Sequence, residues 1–102
     1  MTTELSGPAR RHLRALAHHL DPVVHVGKNG VNEAVSRATQ AALLDHELVK
    51  VRLPQGEREE RRALADALAG ATGAAEVQLL GRVLLLYRRH PQKPKIKLPR
   101  GG

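Results

Sequence analysis

The chain has 102 residues, with 17 lysines and arginines against 10 acidic residues, and its formal net charge is +7. This length fits one compact domain, and the excess of positive charge favours a polyanionic partner. Cysteine is absent and Tyr87 is the only aromatic residue, which excludes disulfides, thiolate metal sites and an aromatic surface for base stacking. The sequence shows neither a secretion signal nor an apolar run long enough to span a membrane. We therefore expect a cytoplasmic protein that makes no membrane contact.

The first half of the chain is predicted to form a helix, a strand and a second helix. Ser6 can cap a helix over residues 7–20, in which apolar residues recur at helical spacing. The β-branched run at 23–26 is typical of a strand, and the sequence Gly-Lys-Asn-Gly at 27–30 ends it. A second helix is predicted over residues 33–46, directly after this glycine turn.

The second half is predicted to form a strand, a helix and a hairpin. Polar and apolar residues alternate over 48–53, as in a half-buried strand, and residues 57–69 have helical spacing. The runs 75–80 and 83–87 are separated by two residues and predict an antiparallel hairpin. Residues 83–86 are apolar on both faces, which indicates an interior strand covered on both sides. The order α-β-α-β-α-β-β predicts an α/β domain with a four-stranded mixed sheet and right-handed crossovers.

The turn at 27–30 is the first candidate binding site. Gly27 and Gly30 allow backbone conformations closed to other residues and a close approach by a phosphate. The turn leads into a helix N-terminus, which favours anions, and Lys28 adds a positive charge beside Asn29. The alternative is an ordinary strand-to-helix connection. The same spacing recurs at 70–73, but there it follows a helix without a cation and indicates a helix C-cap.

Further candidates are cations that could extend a positive surface. They are Arg10, Arg11 and Arg14 in the first helix, Lys50 and Arg52 in a strand, and Arg88, Arg89, Lys95 and Lys97 near the C-terminus. Each group could instead be ordinary solvated surface. We expect residues 1–90 to form the domain and residues 91–102 to form an extended basic tail, whose alternative is a disordered end. Truncation after Arg89 is therefore expected to change stability little.

The six histidines do not predict an enzyme or a metal site. The sequence His-Glu-Leu-Val-Lys at 46–50 begins like a zinc-protease helix motif but ends in lysine and crosses a predicted helix boundary. His18 and His19 are adjacent and point in different directions, and His12 lacks the helical spacing to either. Neither a Walker-type phosphate loop nor a nucleophile elbow is present. We expect no catalytic residue, no cofactor, no metal and no small-molecule substrate.

Several ordered motifs together resemble one known family, the CRM domain (chloroplast RNA splicing and ribosome maturation), most closely its stand-alone bacterial YhbY-type members. The longest is Leu-Arg-Ala-Leu-Ala-His-His-Leu-Asp-Pro-Val-Val-His-Val-Gly-Lys-Asn-Gly-Val-Asn-Glu-Ala-Val at 13–35. Shorter ones are His-Glu-Leu-Val-Lys-Val at 46–51, Ala-Thr-Gly-Ala at 71–74, Gly-Arg-Val-Leu-Leu-Leu-Tyr-Arg at 81–88 and Lys-Ile-Lys-Leu-Pro-Arg at 95–100.

The resemblance implies a two-layer α/β fold similar to the C-terminal domain of translation initiation factor three. It also implies that Gly27, Lys28, Asn29 and Gly30 form an RNA-contacting loop, comparable to that of KH domains. The stand-alone members associate with precursors of the large ribosomal subunit, so the implied partner is structured ribosomal RNA and the implied role is ribosome assembly. We expect the protein to be a monomer.

Two other functions stay open at this point. One is an Alba-like DNA-binding protein, because that fold also places a Gly-Lys turn before a helix and charge does not distinguish duplex DNA from RNA. The other is a protein-docking module, whose hallmark is an exposed apolar patch.

Overall fold

The computed structural model of the chain describes residues 5–99. Helices and strands alternate in these residues until a final hairpin. The elements are α1 (Gly7–Ala17), β1 (Pro22–His25), α2 (Glu33–His46), β2 (Leu48–Arg52), α3 (Arg58–Thr72), β3 (Ala75–Leu80) and β4 (Val83–Tyr87). The predicted element order and the four-stranded mixed sheet are confirmed. None of the helices within residues 5–99 has the length and apolar character that crossing a bilayer requires.

The strands form one sheet in the order β1-β2-β4-β3. β1 is parallel to β2, with α2 as the crossover between them, and the other neighbours are antiparallel. Arg52 at the end of β2 pairs with Val83 at the start of β4, and we call this end of the strands the loop end. Leu48 pairs with Tyr87 at the other end of these two strands, which we call the tail end.

Helices cover both faces of the sheet, which adds a third layer to the expected two. Leu84 and Leu86 of β4 pack in one core cluster with residues of α2 and α3, whereas Leu85 and Tyr87 pack in a second cluster with Leu13 of α1. The physical reason lies in β4, which is apolar on both faces and occupies the interior of the sheet. A sheet covered by helices on one face alone would leave the second set of leucines in water.

Local capping fixes the start of two helices at the predicted residues. The Ser6 hydroxyl accepts a hydrogen bond from the Ala9 N–H at 3.2 Å, and the Asn32 side chain accepts one from the Val35 N–H at 2.9 Å. The end of α1 differs from the prediction, because the helix stops at Ala17 and not at residue 20. Its buried residues are Ala9, Leu13 and Ala17, whereas Leu16 and Leu20 are exposed.

The C-terminal segment packs against the domain as far as the structure describes it. Residues 91–99 have no regular secondary structure, but Ile96 and Leu98 lie against the core cluster on the α1 face. Glu47, which is fully buried, accepts hydrogen bonds from the main-chain N–H groups of His90, Lys95 and Ile96 at 2.7, 2.7 and 2.8 Å. The segment thus lacks regular secondary structure and is docked on the domain.

Two parts of the predicted organisation fall outside the described residues. These are the first four residues of the expected domain and residues 100–102 of the expected tail, which include Arg100 of the family-like ending.

Candidate nucleic-acid interface

The turn at 27–30 is a closed and solvent-exposed loop. The Gly30 N–H donates to the Gly27 carbonyl at 3.0 Å, and the Asn32 N–H donates to the Gly30 carbonyl at 3.1 Å. Gly30 has φ +70°, in the left-handed region that favours glycine, whereas Gly27 lacks a positive φ and has open space where a Cβ would be. Residues 27–29 are exposed. The two glycines therefore have different roles. Gly30 provides the left-handed conformation that the turn needs, and Gly27 leaves the main chain accessible because no side chain covers it.

The polar groups of this turn are available to an anion. Among residues 5–99, the main-chain N–H groups of Lys28 and Asn29 find no hydrogen-bond acceptor. The nearest acidic residue in sequence is Glu33 in the first turn of α2, and its carboxylate is paired with Arg37. Unpaired amides ahead of a helix N-terminus, with a lysine beside them, form an arrangement that suits phosphate.

Cations from other elements lie close to the turn. The Val26 N–H donates to the Arg52 carbonyl at 2.8 Å, so the turn begins one residue after a direct contact with the end of β2. Lys50 and Arg52 are two residues apart on one strand, which puts their side chains on the same face about 6.6 Å apart. Arg14 of α1 borders the same surface groove as Lys50. The structure thus brings Lys28, Lys50, Arg52 and Arg14 to the loop-end half of the molecule.

Two of the predicted arginines, Arg10 and Arg88, are half-buried and hydrogen-bonded to backbone carbonyls of other elements. The Arg10 guanidinium donates to the Glu76 carbonyl at 2.7 Å, near the tail end of β3. The Arg88 guanidinium donates to the Thr72 carbonyl at 2.6 Å and to the Gln40 carbonyl at 3.4 Å. Both side chains are half-buried and join separate elements, so they help to hold the fold together, and their contact with RNA stays a prediction.

The remaining predicted cations are exposed, and those of the C-terminal segment lie away from the turn. Arg89 and Lys97 follow β4 at the tail end, and the Lys95 ammonium donates to the Asp45 carbonyl in the last turn of α2 at 3.0 Å. Arg11 lies on the exposed side of the first half of α1. The turn lies before the first residue of α2, whereas Lys95 contacts the last turn of that helix. The turn and the cations of the C-terminal segment therefore lie toward opposite ends of α2.

Sequence reasoning missed the residue that holds the tail, Glu47. Burial by itself raises the pKa of Glu47, but the main-chain N–H groups of His90, Ile96 and Lys95 and the charge of His90 outweigh it, so the pKa lies below its ordinary value. Its backbone has φ +62°. In the sequence this glutamate was compared with a zinc-protease motif. No local pattern predicts that three main-chain N–H groups more than 40 residues away donate to it. Within residues 5–99, no three His, Asp or Glu side chains are grouped so as to hold a metal ion.

Sequence reasoning also missed His18, Gln78 and Leu80, which line the groove that Arg14 and Lys50 border. Their only signal was weak, because an isolated polar or apolar residue at the end of a helix or strand is common on protein surfaces.

The chain is similar in sequence to two bacterial proteins and in structure to a third. A protein of Haemophilus influenzae named an RNA-binding protein is 43% identical over 98 residues, covering 96% of this chain and 98% of its own length. A Bacillus subtilis protein named a probable RNA-binding protein is 37% identical over 95 residues, covering 93% of this chain and 99% of its own. The solution structure of a Staphylococcus aureus protein matches with a TM-score of 0.81 at 35% identity, covering 94% of this chain and all of that one.

The family assignment follows from a match that spans most of the chain. Residues 5–88, which contain every helix and strand described above, match the model of the CRS1/YhbY (CRM) domain. The resemblance that the motifs indicated is thereby confirmed, and the chain belongs to the CRS1/YhbY (CRM) domain family.

Proposed function

We propose that this protein binds structured RNA in precursors of the large ribosomal subunit and aids their assembly. The observation that carries the proposal is the exposed turn at 27–30, with unpaired amides and Lys28, beside Lys50 and Arg52 of β2. The relatives named as RNA-binding proteins support the choice of RNA over other polyanions. The family resemblance supports the choice of ribosomal precursors.

In this proposal the turn and the strand contact one stretch of phosphate backbone. The amides of Lys28 and Asn29 donate to phosphate oxygens, and the open space at Gly27 lets the backbone approach closely. Lys50 and Arg52, whose side chains lie on one face of β2, neutralise neighbouring phosphates. Recognition then depends on the shape and charge of the RNA, since the chain has no aromatic stacking surface.

The proposed action is binding alone, without catalysis, metal, cofactor or small-molecule substrate. We propose that one copy of the chain is sufficient, because the turn and its cations all come from a single chain. A cytoplasmic location belongs to the same proposal, since the RNA partner would be there and the chain has no cysteine to oxidise.

A pair of charge reversals tests the RNA surface. Lys28→Glu should weaken binding to a structured ribosomal RNA fragment by at least tenfold, because it replaces an attraction to phosphate by a repulsion. Lys93→Glu makes the same change in net charge on an exposed tail residue and should leave affinity within about twofold. Equal effects of the two variants would show that only overall charge matters and would overturn the proposed surface.

Competition and sedimentation test the choice of partner. Binding to the RNA fragment should survive an excess of duplex DNA of the same length, whereas equal displacement would favour an Alba-like function. In cell extracts resolved on sucrose gradients, the protein should sediment with large-subunit precursors, and Lys28→Glu should shift it to the top of the gradient. Sedimentation with free RNA alone would contradict the assembly role.

A further inference from the structure

A groove opens on the α1 face of the sheet because α1 is too short to cover it. The helix ends at Ala17, and its C-cap residue is His18. Beyond that point the sheet surface is left open, with a depression of about 390 Å³ between the end of α1 and strands β2, β4 and β3. Sites for small molecules occupy roughly 300 to 1,000 Å³, so the groove is large enough for one small planar ligand and its substituent.

The wall of the groove is basic. Arg14 and His18 of α1 line one side and Lys50 of β2 lines another, and none of the lining residues in the described part of the chain is acidic. Lys50 lies on the same strand face as Arg52, next to the proposed phosphate track. The charge of the groove is therefore complementary to a phosphate that continues this track.

The floor of the groove is apolar and open to water. Leu80 has 69% of its surface exposed, the highest value among the large exposed apolar residues described, and Val83 beside it is half-buried. Leu85 continues this surface toward the core. Apolar floors of this kind can pack against the flat face of a nucleobase.

One amide side chain completes the groove. Gln78 of β3 is half-buried and lines this groove, and its carboxamide makes no hydrogen bond to any residue between 5 and 99. A carboxamide carries both donors and an acceptor, which is the combination that reads the hydrogen-bonding edge of a base.

A larger depression of about 670 Å³ on the other side of Leu80 is also basic but has a different lining. Three arginines line it, and one of them, Arg62, is already paired with Asp66 and Glu76. Its described lining also includes the acidic Glu59 and contains no amide side chain. Size alone therefore does not identify the ligand site.

We infer that the groove between α1 and the sheet binds a single unpaired nucleotide of the RNA, with its base on Leu80 and Val83 and its phosphate between Arg14 and Lys50. The inference rests on the proposed RNA-binding function and adds to it the class of RNA feature that is selected. The RNA would be a helix with a bulged or terminal nucleotide, whose paired part lies along the turn and whose unpaired base enters the groove.

Three hairpins of equal length test this inference. One is fully paired, one carries a single-nucleotide bulge, and one carries the same bulge without its base. The native protein should bind the bulged hairpin about tenfold more tightly than the other two, as expected for the burial of one base. Equal affinity for the bulged and abasic hairpins would overturn the inference, because the phosphate alone would then account for binding.

Two variants connect the preference to the groove. Gln78→Glu is isosteric and removes the N–H donors that the carboxamide offers to the base edge, so it should remove the preference for the bulge, as should Leu80→Ser. Gln92→Glu adds the same charge on an exposed tail residue and should keep the preference. If the preference survives Gln78→Glu and Leu80→Ser, the base binds elsewhere and the inference falls.

The outcome also separates this inference from the proposed function. RNA binding that depends on Lys28 but shows no preference for the bulge would overturn the nucleotide groove and leave the proposed function standing. Failure to bind any of the three hairpins or a larger ribosomal RNA fragment would overturn both.

Discussion

The carboxylate of Glu47 accepts a hydrogen bond from the main-chain N–H of Ile96 at 2.8 Å, across 49 positions of the chain. The same oxygen accepts from Lys95, and the other accepts from His90. One buried side chain between α2 and β2 thus holds the C-terminal segment on the domain. Its backbone has a positive φ that non-glycine residues adopt at a cost, which these hydrogen bonds help to offset.

Replacing Glu47 by glutamine should destabilise the fold. One oxygen of the amide can still serve Lys95 and Ile96, but its NH₂ group meets the His90 N–H, and two donors cannot bond each other. We expect the free energy of unfolding in urea to fall by about 1.5–3 kcal/mol, with faster amide exchange at His90. Glu59→Gln, at an exposed position, should stay within about 0.5 kcal/mol. A comparable loss of stability in both variants would contradict the role of Glu47 in holding the C-terminal segment.

The pKa of Glu47 predicts acid sensitivity. In the folded protein this pKa lies below the ordinary value of 4.5, because three N–H groups and the charge of His90 outweigh the opposing effect of burial. The stabilisation is therefore fully present above about pH 4.5 and is lost as the pH falls through the folded pKa. Urea unfolding between pH 7 and pH 3 should show this loss in the native protein and a flatter curve in Glu47→Gln. If the free energy of unfolding depended on pH in the same way in both proteins, Glu47 would not be the source of the acid sensitivity.

Truncation after Arg89 should destabilise the protein, contrary to the expectation from sequence. The deletion removes the contacts of Ile96 and Leu98 with the core and all three main-chain donors to Glu47. We expect a loss of about 2–4 kcal/mol in chemical denaturation. Full-length Lys97→Gln keeps the docked segment and loses only a charge, so it should stay within about 0.5 kcal/mol. An unchanged stability of the truncated chain would show that the docking contributes nothing.

The two glycines of the turn should respond differently to alanine. Gly30→Ala forces a side chain into the left-handed region and should lower the free energy of unfolding by about 1 kcal/mol. Gly27→Ala meets open space at an ordinary φ and should fold normally. If a phosphate approaches at Gly27, its added methyl group should weaken RNA binding by about 1 kcal/mol, roughly fivefold. Unchanged RNA affinity in Gly27→Ala would move the contact away from the turn.

The salt dependence of RNA binding should show whether an individual lysine neutralises a phosphate. If Lys28 neutralises one phosphate, Lys28→Gln should make the slope of log K against log salt shallower by about 0.7–0.9. Lys93→Gln should leave the slope unchanged, because that residue lies in the tail, away from the turn. Fluorescence anisotropy between 50 and 300 mM salt, on the order of the physiological range, would measure both slopes. Identical slopes for the three proteins would exclude Lys28 from the contact.

The family and most of the element pattern could be predicted from sequence, because both depend on short-range signals. The Ser6 and Asn32 caps, the alternation in β2 and the glycine turn before α2 each involve neighbours within a few residues. Such patterns fix which residues are helical or extended and which side of a strand is apolar. They also placed Lys50 and Arg52 on one face without any knowledge of the rest of the chain.

Only the tertiary structure decided which of the predicted cations bond to the protein's own backbone and where the C-terminal segment packs. Arg10 and Arg88 have the same local character as Arg14 and Arg52, yet they bond to backbone carbonyls at 2.7 and 2.6 Å in elements distant in sequence. The docking of the tail on Glu47 and the groove left by the early end of α1 likewise depend on long-range packing. Local spacing carries no information on these contacts, because the register of β2 and β4 and the face chosen by α1 determine them.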